Sequence, residues 1–566
     1  MTSLHRSSIS RGSPPTTPLL RINPRKLHSW STATFGEALL VFVLALLVRM
    51  DVMTGQPPQP DDLYHFYAAR SYLADGSFAV FAGTYERAAD FTRLVAGAMS
   101  LFGDSLGAAR LPSLLASAAL VAMVHVWLRR EAGQGVAAIA SALLILLYPT
   151  VLVGTLVRFY ALQALLFWLG TALLYRVVVE VQPRLGSALL AGVALLLLAA
   201  AAQLQIVTLI GLVAFGAWAA LYLTWRMRDA VPRLWLVLGW LGLLVAAGVL
   251  AYAQTGFGAR LLQTYRSTSL WAEPNRDNVL FYYHMLARHY GVLGNYLPLA
   301  ALAAFAVRPR PALYCGVVLA GGLVLHSFGG MKQDRYVTYL LPYLAALWAM
   351  ALWPLLLALR DRLVALLAPR WRLARPLATA AVALLLATLL AKETPILERT
   401  ARSIVLPPDR TLVMDVGHGW QANRARLMPL VRDAVFIVDD DLQAAYHVGR
   451  ADFYMNRSQV LENDPPEEFV RDFRTGTPLI SSAESLRAIF ACFDRGLLVS
   501  EDLALSWLTV EAREVIATHT MALDLVPPIY GYIWDRRRNG GSAEPSAACD
   551  RLRSFVAETA PARAAR

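Results

Sequence analysis

Two adjacent carboxylates, Asp61 and Asp62, follow a proline-rich turn in GQPPQPDDLYHFYAARSYLADGSF. Leu63, Phe66, Tyr67, Arg70 and Leu73 recur behind them at helical spacing, so the acids open an amphipathic helix expected to lie along a membrane surface. A structural role is open to both, Asp61 as the cap and Asp62 as a complement to the helix dipole. A cap can also be catalytic. Three cations fall on the same side of the chain in the topology set out next: Arg158 in LVRFYALQALLFW, and Lys332 and Arg335 in GGMKQDRYVTYLLPYL. One such residue alone reads as an interfacial anchor. A cluster outside the membrane runs against the positive-inside rule unless something anionic needs it. A carboxylate pair and several cations at one surface suit a single problem: a base activates a hydroxyl while cations stabilise a departing lipid phosphate.

The elements that must position these groups are membrane spans. Only 16% of the 566 residues are charged and 57% are apolar, where soluble domains carry about 25% charge. The deficit is uneven: apolar runs dominate from Phe35 to Lys392, and charges recur every few positions from Glu393 onward. The pattern predicts a polytopic α-helical membrane protein of about eleven spans. They fall near 35–53, 109–128, 134–152, 160–180, 186–202, 205–225, 233–253, 290–307, 312–330, 336–359 and 376–392. With a basic, disordered N-terminus (1–34) in the cytoplasm, every inward loop carries arginine, from Arg129 and Arg130 to Arg360 and Arg375. The net charge of +12 is therefore topology rather than a nucleic-acid surface. The outward connections are a long first loop at 54–108, a second at 254–289 and a short one at Gly329 to Arg335.

Residues 393–566 then lie outside as a globular domain. Thr411–Val416, Ala434–Val438, Pro478–Ser481 and Gly496–Val499 read as buried strands, with helices at 421–432, 442–448, 483–493 and 509–519. Alternation predicts a small α/β layer with a mainly parallel sheet. Gly417 and Gly419 in VGHGW lack the rest of any phosphate fingerprint. Cys492 and Cys549 can pair if the domain faces an oxidising compartment, while Cys315 packs inside a span. No His, Cys and Asp cluster has metal-ligand spacing, so neither a metal nor another cofactor is expected.

Four segments, in this order and all facing outward, resemble the integral-membrane glycosyltransferases of the GT-C fold, which use polyprenyl-phosphate sugars. They are DDLYHFYAARSYLADG, LFGDSLGAARLPSLLASAALVAMVHVWLRR, LVRFYALQALLFWLG and KQDRYVTYLLPYLAAL. The nearest relatives by these segments are similar to protein O-mannosyltransferases and lipid A aminoarabinose transferases. The resemblance implies a catalytic domain over 35–392 with Asp61 as base, and Asp62 where the family often has Glu. It implies Arg158, Lys332 and Arg335 on the donor phosphate, with Tyr160, Gln163 and Tyr336 beside them. Tyr85 and Arg87 resemble an aromatic-basic segment after the first helix, and Arg110 stays open between a site role and a structural one. The implied reaction is an inverting transfer of a monosaccharide to a hydroxyl of an envelope lipid, glycan or protein, at the outer face of the inner (plasma) membrane. A transporter or flippase is the rival; it would be expected to carry paired halves and charges at mid-bilayer, and neither is evident. A scaffold that only anchors the terminal domain leaves the outward cations unexplained.

Topology is directly testable. A reporter active only outside the cytoplasm is expected to be active when fused after Glu393 and silent after Arg228. A silent Glu393 fusion would put the span count off by one and remove the outward site.

Overall fold

A computed structural model of the protein describes residues 32–54, 56–180, 185–228, 275–368, 373–393, 416–463, 466–506, 508–536 and 547–559, with a few positions between 235 and 273. Six helices among these are long and apolar enough to cross a membrane, or eight if each of two bent pairs counts as one span. The six are Thr32–Met53, Leu106–Glu131, Tyr160–Glu180, Leu185–Leu204, Thr208–Met227 and Asp334–Leu367. The bent pairs fall where single spans are expected at 134–152 and 290–307. The expected span at 376–392 falls on a shorter apolar helix, Ala374–Leu390, and that at 312–330 on Pro309–Ser327. The expected span at 233–253 lies outside the described residues apart from isolated positions.

The first bend has a readable cause. Helices Gln134–Leu146 and Tyr148–Thr155 meet at 59° across Leu147, whose backbone is extended, and Pro149 follows without an N–H to continue the ladder. The freed carbonyl of Leu144 accepts from Thr150 Oγ1 at 2.8 Å and Arg49 Nη2 at 3.2 Å. Arg49 comes from the first span and is fully buried, its Nε donating to Ser117 Oγ at 2.7 Å. An unsatisfied carbonyl within a membrane costs several kcal/mol, so a buried arginine is well used here. The bend precedes the short turn that carries Arg158. Deeper in the bundle Trp127, Trp168, Tyr175, Trp218 and Tyr314 meet ring against ring.

The loop at 54–108 folds into helix α1 (Pro60–Asp75), a short hairpin of β1 (Ala79–Val80) and β2 (Gly83–Thr84), and helix α2 (Ala89–Phe102). The expected amphipathic surface helix is corrected on one point. Asp62 to Ala69 are all buried, so α1 is enclosed on every side through its first two turns. Its polar-looking face is covered by the terminal domain, where Leu442 joins one apolar cluster with Leu63, Phe66 and Tyr67.

That domain carries a six-stranded sheet in the order β5-β4-β3-β6-β8-β7. Strands β3 (Val435–Val438), β4 (Phe453–Met455), β5 (Leu479–Ile480) and β6 (Arg495–Ser500) pair in parallel. Strands β7 (Met521–Leu523) and β8 (Tyr530–Asp535) add antiparallel, so the sheet is mixed. The expected strand at 411–416 lies outside the described residues except Val416, which begins the helix Val416–Arg432. Cys492 and Cys549 form a disulfide between two helices.

The domain docks on the loop through backbone. Ala82 N–H donates to Thr475 O and Thr84 N–H to Phe473 O, both at 3.1 Å, and Gln443 Nε2 donates to Pro58 O at 2.7 Å. Glycine is required at these contacts. Gly476 has φ +71° and a Cβ there would stand 2.5 Å from the Ala82 Cβ; one at Gly417 would stand 2.7 Å from Pro57. Gly476→Ala is therefore expected to cost about 1–3 kcal/mol. A lowered Tm and faster proteolysis between the hairpin and the terminal domain would report it, and an unchanged Tm would mean the docking is not rigid.

Candidate active site

Asp61 and Asp62 are neighbours in sequence but about 100° apart around α1, and they meet opposite environments. Asp62 is completely buried. Its Oδ2 accepts from Arg110 Nη2 at 2.9 Å and from the N–H of Gln59 at 3.2 Å, and its Oδ1 from the N–H of Val157 at 2.8 Å. Arg110 also donates through Nη1 and Nη2 to the carbonyls of Met53, Gln56 and Pro57, at 2.7–3.3 Å. One ion pair thus fastens the end of the first span, the start of α1, the helix Leu106–Glu131 and the turn before Tyr160. Burial pushes the Asp62 carboxyl up, against the pull of Arg110 and the two N–H groups.

Asp61 is left partly exposed among cations. Its side chain keeps 30% of its exposure and pairs with Arg335, 274 positions along the chain. Arg158 Nη2 is 3.6 Å from the same carboxylate oxygen, and Arg158 Nη1 donates to the Asp61 carbonyl at 3.3 Å and to Tyr85 Oη at 3.1 Å. Burial would raise the Asp61 carboxyl, but Arg158, Arg335 and Arg87 together hold it below its ordinary value of 3.8. Three guanidiniums around one carboxylate leave positive charge in excess, in a place walled by the rings of Tyr85, Phe159, Tyr160 and Tyr336. Arg335 lies 5.9 Å over Tyr160, and Arg87 lies 5.6 Å over Phe159 with a donor 3.3 Å from Gln205 Oε1. The arrangement fits an anion next to a base.

The expected residues divide accordingly. Asp61, Arg158, Arg335, Tyr85, Arg87, Tyr160 and Tyr336 are brought together. Asp62 and Arg110 stand behind them as a staple. Gln163 is fully buried and donates to Thr208 Oγ1 at 2.9 Å, a link between two spans. Lys332 is buried with its ammonium on the carbonyls of Gly329, at 2.9 Å, and Arg276. Among the described residues it makes no hydrogen bond or ion pair with Asp61. Beside it, Ile206, Val207, Ile210, Leu325, Gly329 and Met331 line an apolar cavity of about 280 Å³.

One residue was not foreseen. His65 is fully buried one turn after Asp61, its Nδ1 2.9 Å from Thr92 Oγ1 and its ring edge against Tyr85, Phe91 and Phe159. Burial, with Arg158 adding to it, drives its pKa well below the usual histidine value, so the imidazole is neutral. The four-residue spacing from Asp61 was the available signal.

Similarity to known proteins lies in structure alone. No protein-family model matches the sequence, and no curated protein matches it. Among solved structures, ArnT of Cupriavidus metallidurans bound to undecaprenyl phosphate aligns at TM-score 0.51 and 14% identity, over 89% of this chain and 98% of that one. The apo form of ArnT aligns at 0.50 and 15% over the same shares. The archaeal oligosaccharyltransferase AglB of Archaeoglobus fulgidus aligns at 0.48 and 11%, over 89% and 74%. The ArnT alignments show that the chain has the GT-C fold, with a mixed-sheet domain at its C-terminal end.

The two acids are expected to separate in stability measurements. Asp62→Ala or Arg110→Ala leaves one buried charge unpaired and should cost about 3–5 kcal/mol. Asp61→Asn removes a partly exposed pair and should cost about 1 kcal/mol or less. Thermal unfolding of the purified proteins checks this, and equal losses would contradict the division of roles.

Proposed function

With the GT-C fold as premise, we propose that this protein is an inverting glycosyltransferase. It moves a monosaccharide from a polyprenyl-phosphate donor to a hydroxyl of an envelope lipid, glycan or protein on the outer face of the membrane. The observation that carries the reading is Asp61, a partly exposed carboxylate enclosed by Arg335, Arg158 and Arg87. The apolar cavity next to Lys332 supports a lipid donor, since Ile206, Val207, Ile210, Leu325 and Met331 line it. The disulfide supports an oxidising, outward side for the terminal domain.

In this mechanism the donor phosphate draws Arg335 to itself and settles beside the fixed Arg158. Charge-assisted contacts to phosphate are strong, and guanidinium forks fit it. Asp61, relieved of part of its pairing, takes the proton from the acceptor hydroxyl as that oxygen attacks the anomeric carbon. The bond to phosphate breaks on the opposite face, and the developing charge stays on the lipid phosphate between the guanidiniums. Arg87 adds to the field, Tyr85 orients Arg158, and neutral His65 packs the base without competing for the proton. Lys332 holds the loop ahead of Arg335. A transporter would instead need its charges along a path through the bundle; here the cluster sits at the ends of the spans.

Two measurements test the assignment. Asp61→Asn is expected to lower transfer about 10²–10⁴-fold while donor binding persists. Normal transfer by this variant would remove Asp61 as the base, and no transfer by the wild-type protein from any polyprenyl-phosphate sugar would end the proposal. The pH profile carries a sign. The base must be ionised, and its pKa lies below 3.8, so kcat/KM should hold down to about pH 4 and fall only below it. Arg335→Gln removes a charge that favours the carboxylate while burial remains, so the acid limb should move up by about 1–3 units. An unmoved limb would detach Asp61 from the observed chemistry.

A further inference from the structure

The terminal domain has a cavity of its own. The chain lays down β3, steps outward to β4 and β5, and then returns to the other side of β3 as β6. Strand order therefore reverses between β3 and β6, and the crevice beyond the carboxyl ends of such strands is where open α/β sheets bind ligands. Here Asp439 directly follows β3, Asn456 follows β4 and Glu501 follows β6, and all three line one cavity of about 340 Å³ with Tyr454, Gln459 and Arg474. That volume falls in the range of small-molecule sites.

The lining selects the ligand. Asp439 Oδ2 accepts from Ser500 Oγ and from the N–H of Glu501, both at 2.7 Å, and Glu501 Oε1 accepts from Trp420 Nε1 at 2.8 Å. The carboxylates are thus held in place by the fold, while Asp439 Oδ1 is shielded from solvent with no partner beyond its own residue. Asn456 and Gln459 offer amides, Arg474 is neutralised by Asp472 at 2.8 Å, and Met455 is the one apolar side chain in the wall. An apolar tail would find only Met455 and the Tyr454 ring to pack on. An inorganic or lipid phosphate would meet Arg457 but also the two acids Asp439 and Glu501. Among the described residues no group of three His, Cys, Asp or Glu is placed to hold a metal ion. A neutral ligand with many hydroxyls both donates to carboxylates and accepts from amides and guanidinium, and its C–H face can lie on Tyr454.

We propose that this cavity binds a neutral, hydroxyl-rich carbohydrate unit, the sugar portion of the acceptor. The binding site stands on the cavity; its role as acceptor site rests on the transferase reading above. Its wall is joined to the candidate active site. Arg474 lies 5.3 Å over the Tyr64 ring, Tyr64 stacks on Tyr85 at 4.7 Å, and Tyr85 meets Arg158.

The test uses the full chain in lipid nanodiscs, titrated by saturation-transfer NMR with methyl glycosides of neutral hexoses and with neutral disaccharides. Inorganic phosphate and calcium serve as competitors. At least one glycoside is expected to bind. Ser458→Trp, which fills the cavity, should abolish the signal, and Glu501→Gln, which keeps an acceptor for Trp420, should weaken it about tenfold. Thermal unfolding confirms that both variants fold, and Glu501→Gln alone decides the case if Ser458→Trp does not. No binding by any glycoside, binding untouched by these substitutions, or displacement by phosphate or calcium would overturn the site. Glycoside binding that Glu501→Gln weakens, in a wild-type protein that transfers no sugar from a polyprenyl-phosphate donor, would keep the site and remove the transferase reading.

Discussion

The buried pair of Asp62 and Arg110 is the constraint on which the outer half of the molecule depends. Two charges out of water are expensive, and such a pair is tolerated only when every donor and acceptor is used. Here nearly all are: Asp62 accepts three hydrogen bonds and Arg110 satisfies three carbonyls at the end of the first span. The consequence is geometric. A helix fixed by its third residue has no rotational freedom, so its second residue, Asp61, must face the opposite environment. The staple sets the direction of the base without touching anything that reacts.

Electrostatics then follows from the count of cations. Arg158 is 2% exposed and held by Asp61 and Tyr85, and Ser113 bonds its carbonyl at 2.8 Å. It cannot leave. Arg335 is about a third exposed and sits at the start of a short 3-10 helix, Asp334–Leu340. It has room to turn toward an anion. In the proposed mechanism, a fixed guanidinium and a movable one share the Asp61 carboxylate until a phosphate competes for the movable one. The energy of the closed pair is modest at such exposure, so a phosphate can displace it.

Much of this was legible in the sequence, for reasons that can be named. Asp61 stood out as one of two adjacent acids opening a helix, and Arg158 and Arg335 because cations on the side expected to face outward break the charge rule of membrane loops. The GT-C fold was legible from four segments although overall identity to ArnT is only 14%. Other features were not legible. Span 134–152 reads as one apolar run, and its break at Leu147 depends on an arginine from another helix. Lys332 was read as a phosphate ligand because a lysine beside an arginine suggests an anion, but an ammonium is equally served by backbone carbonyls. The enclosure of α1 was hidden because its cover, Leu442 and Arg474, lies nearly four hundred residues later. His65 was passed over as one polar residue among aromatics, since periodicity weighs burial and not proximity to Asp61.

The terminal domain is best understood through the type of contact that joins it to the loop. Side-chain interfaces can slide by exchanging rotamers. Backbone hydrogen bonds between β1–β2 and residues 473–475, closed by glycines at 83 and 476 that leave no space for a Cβ, have only one register. Movement would require release of the whole contact. The domain is therefore held rigidly against the loop rather than hinged over it as a lid, and α1 is held between two rigid bodies, the bundle through Arg110 and the domain through Pro58 and Tyr64. Precision of about half an ångström at a reacting carboxylate demands such support. A chain with a loose first loop would have the same residues and no fixed base.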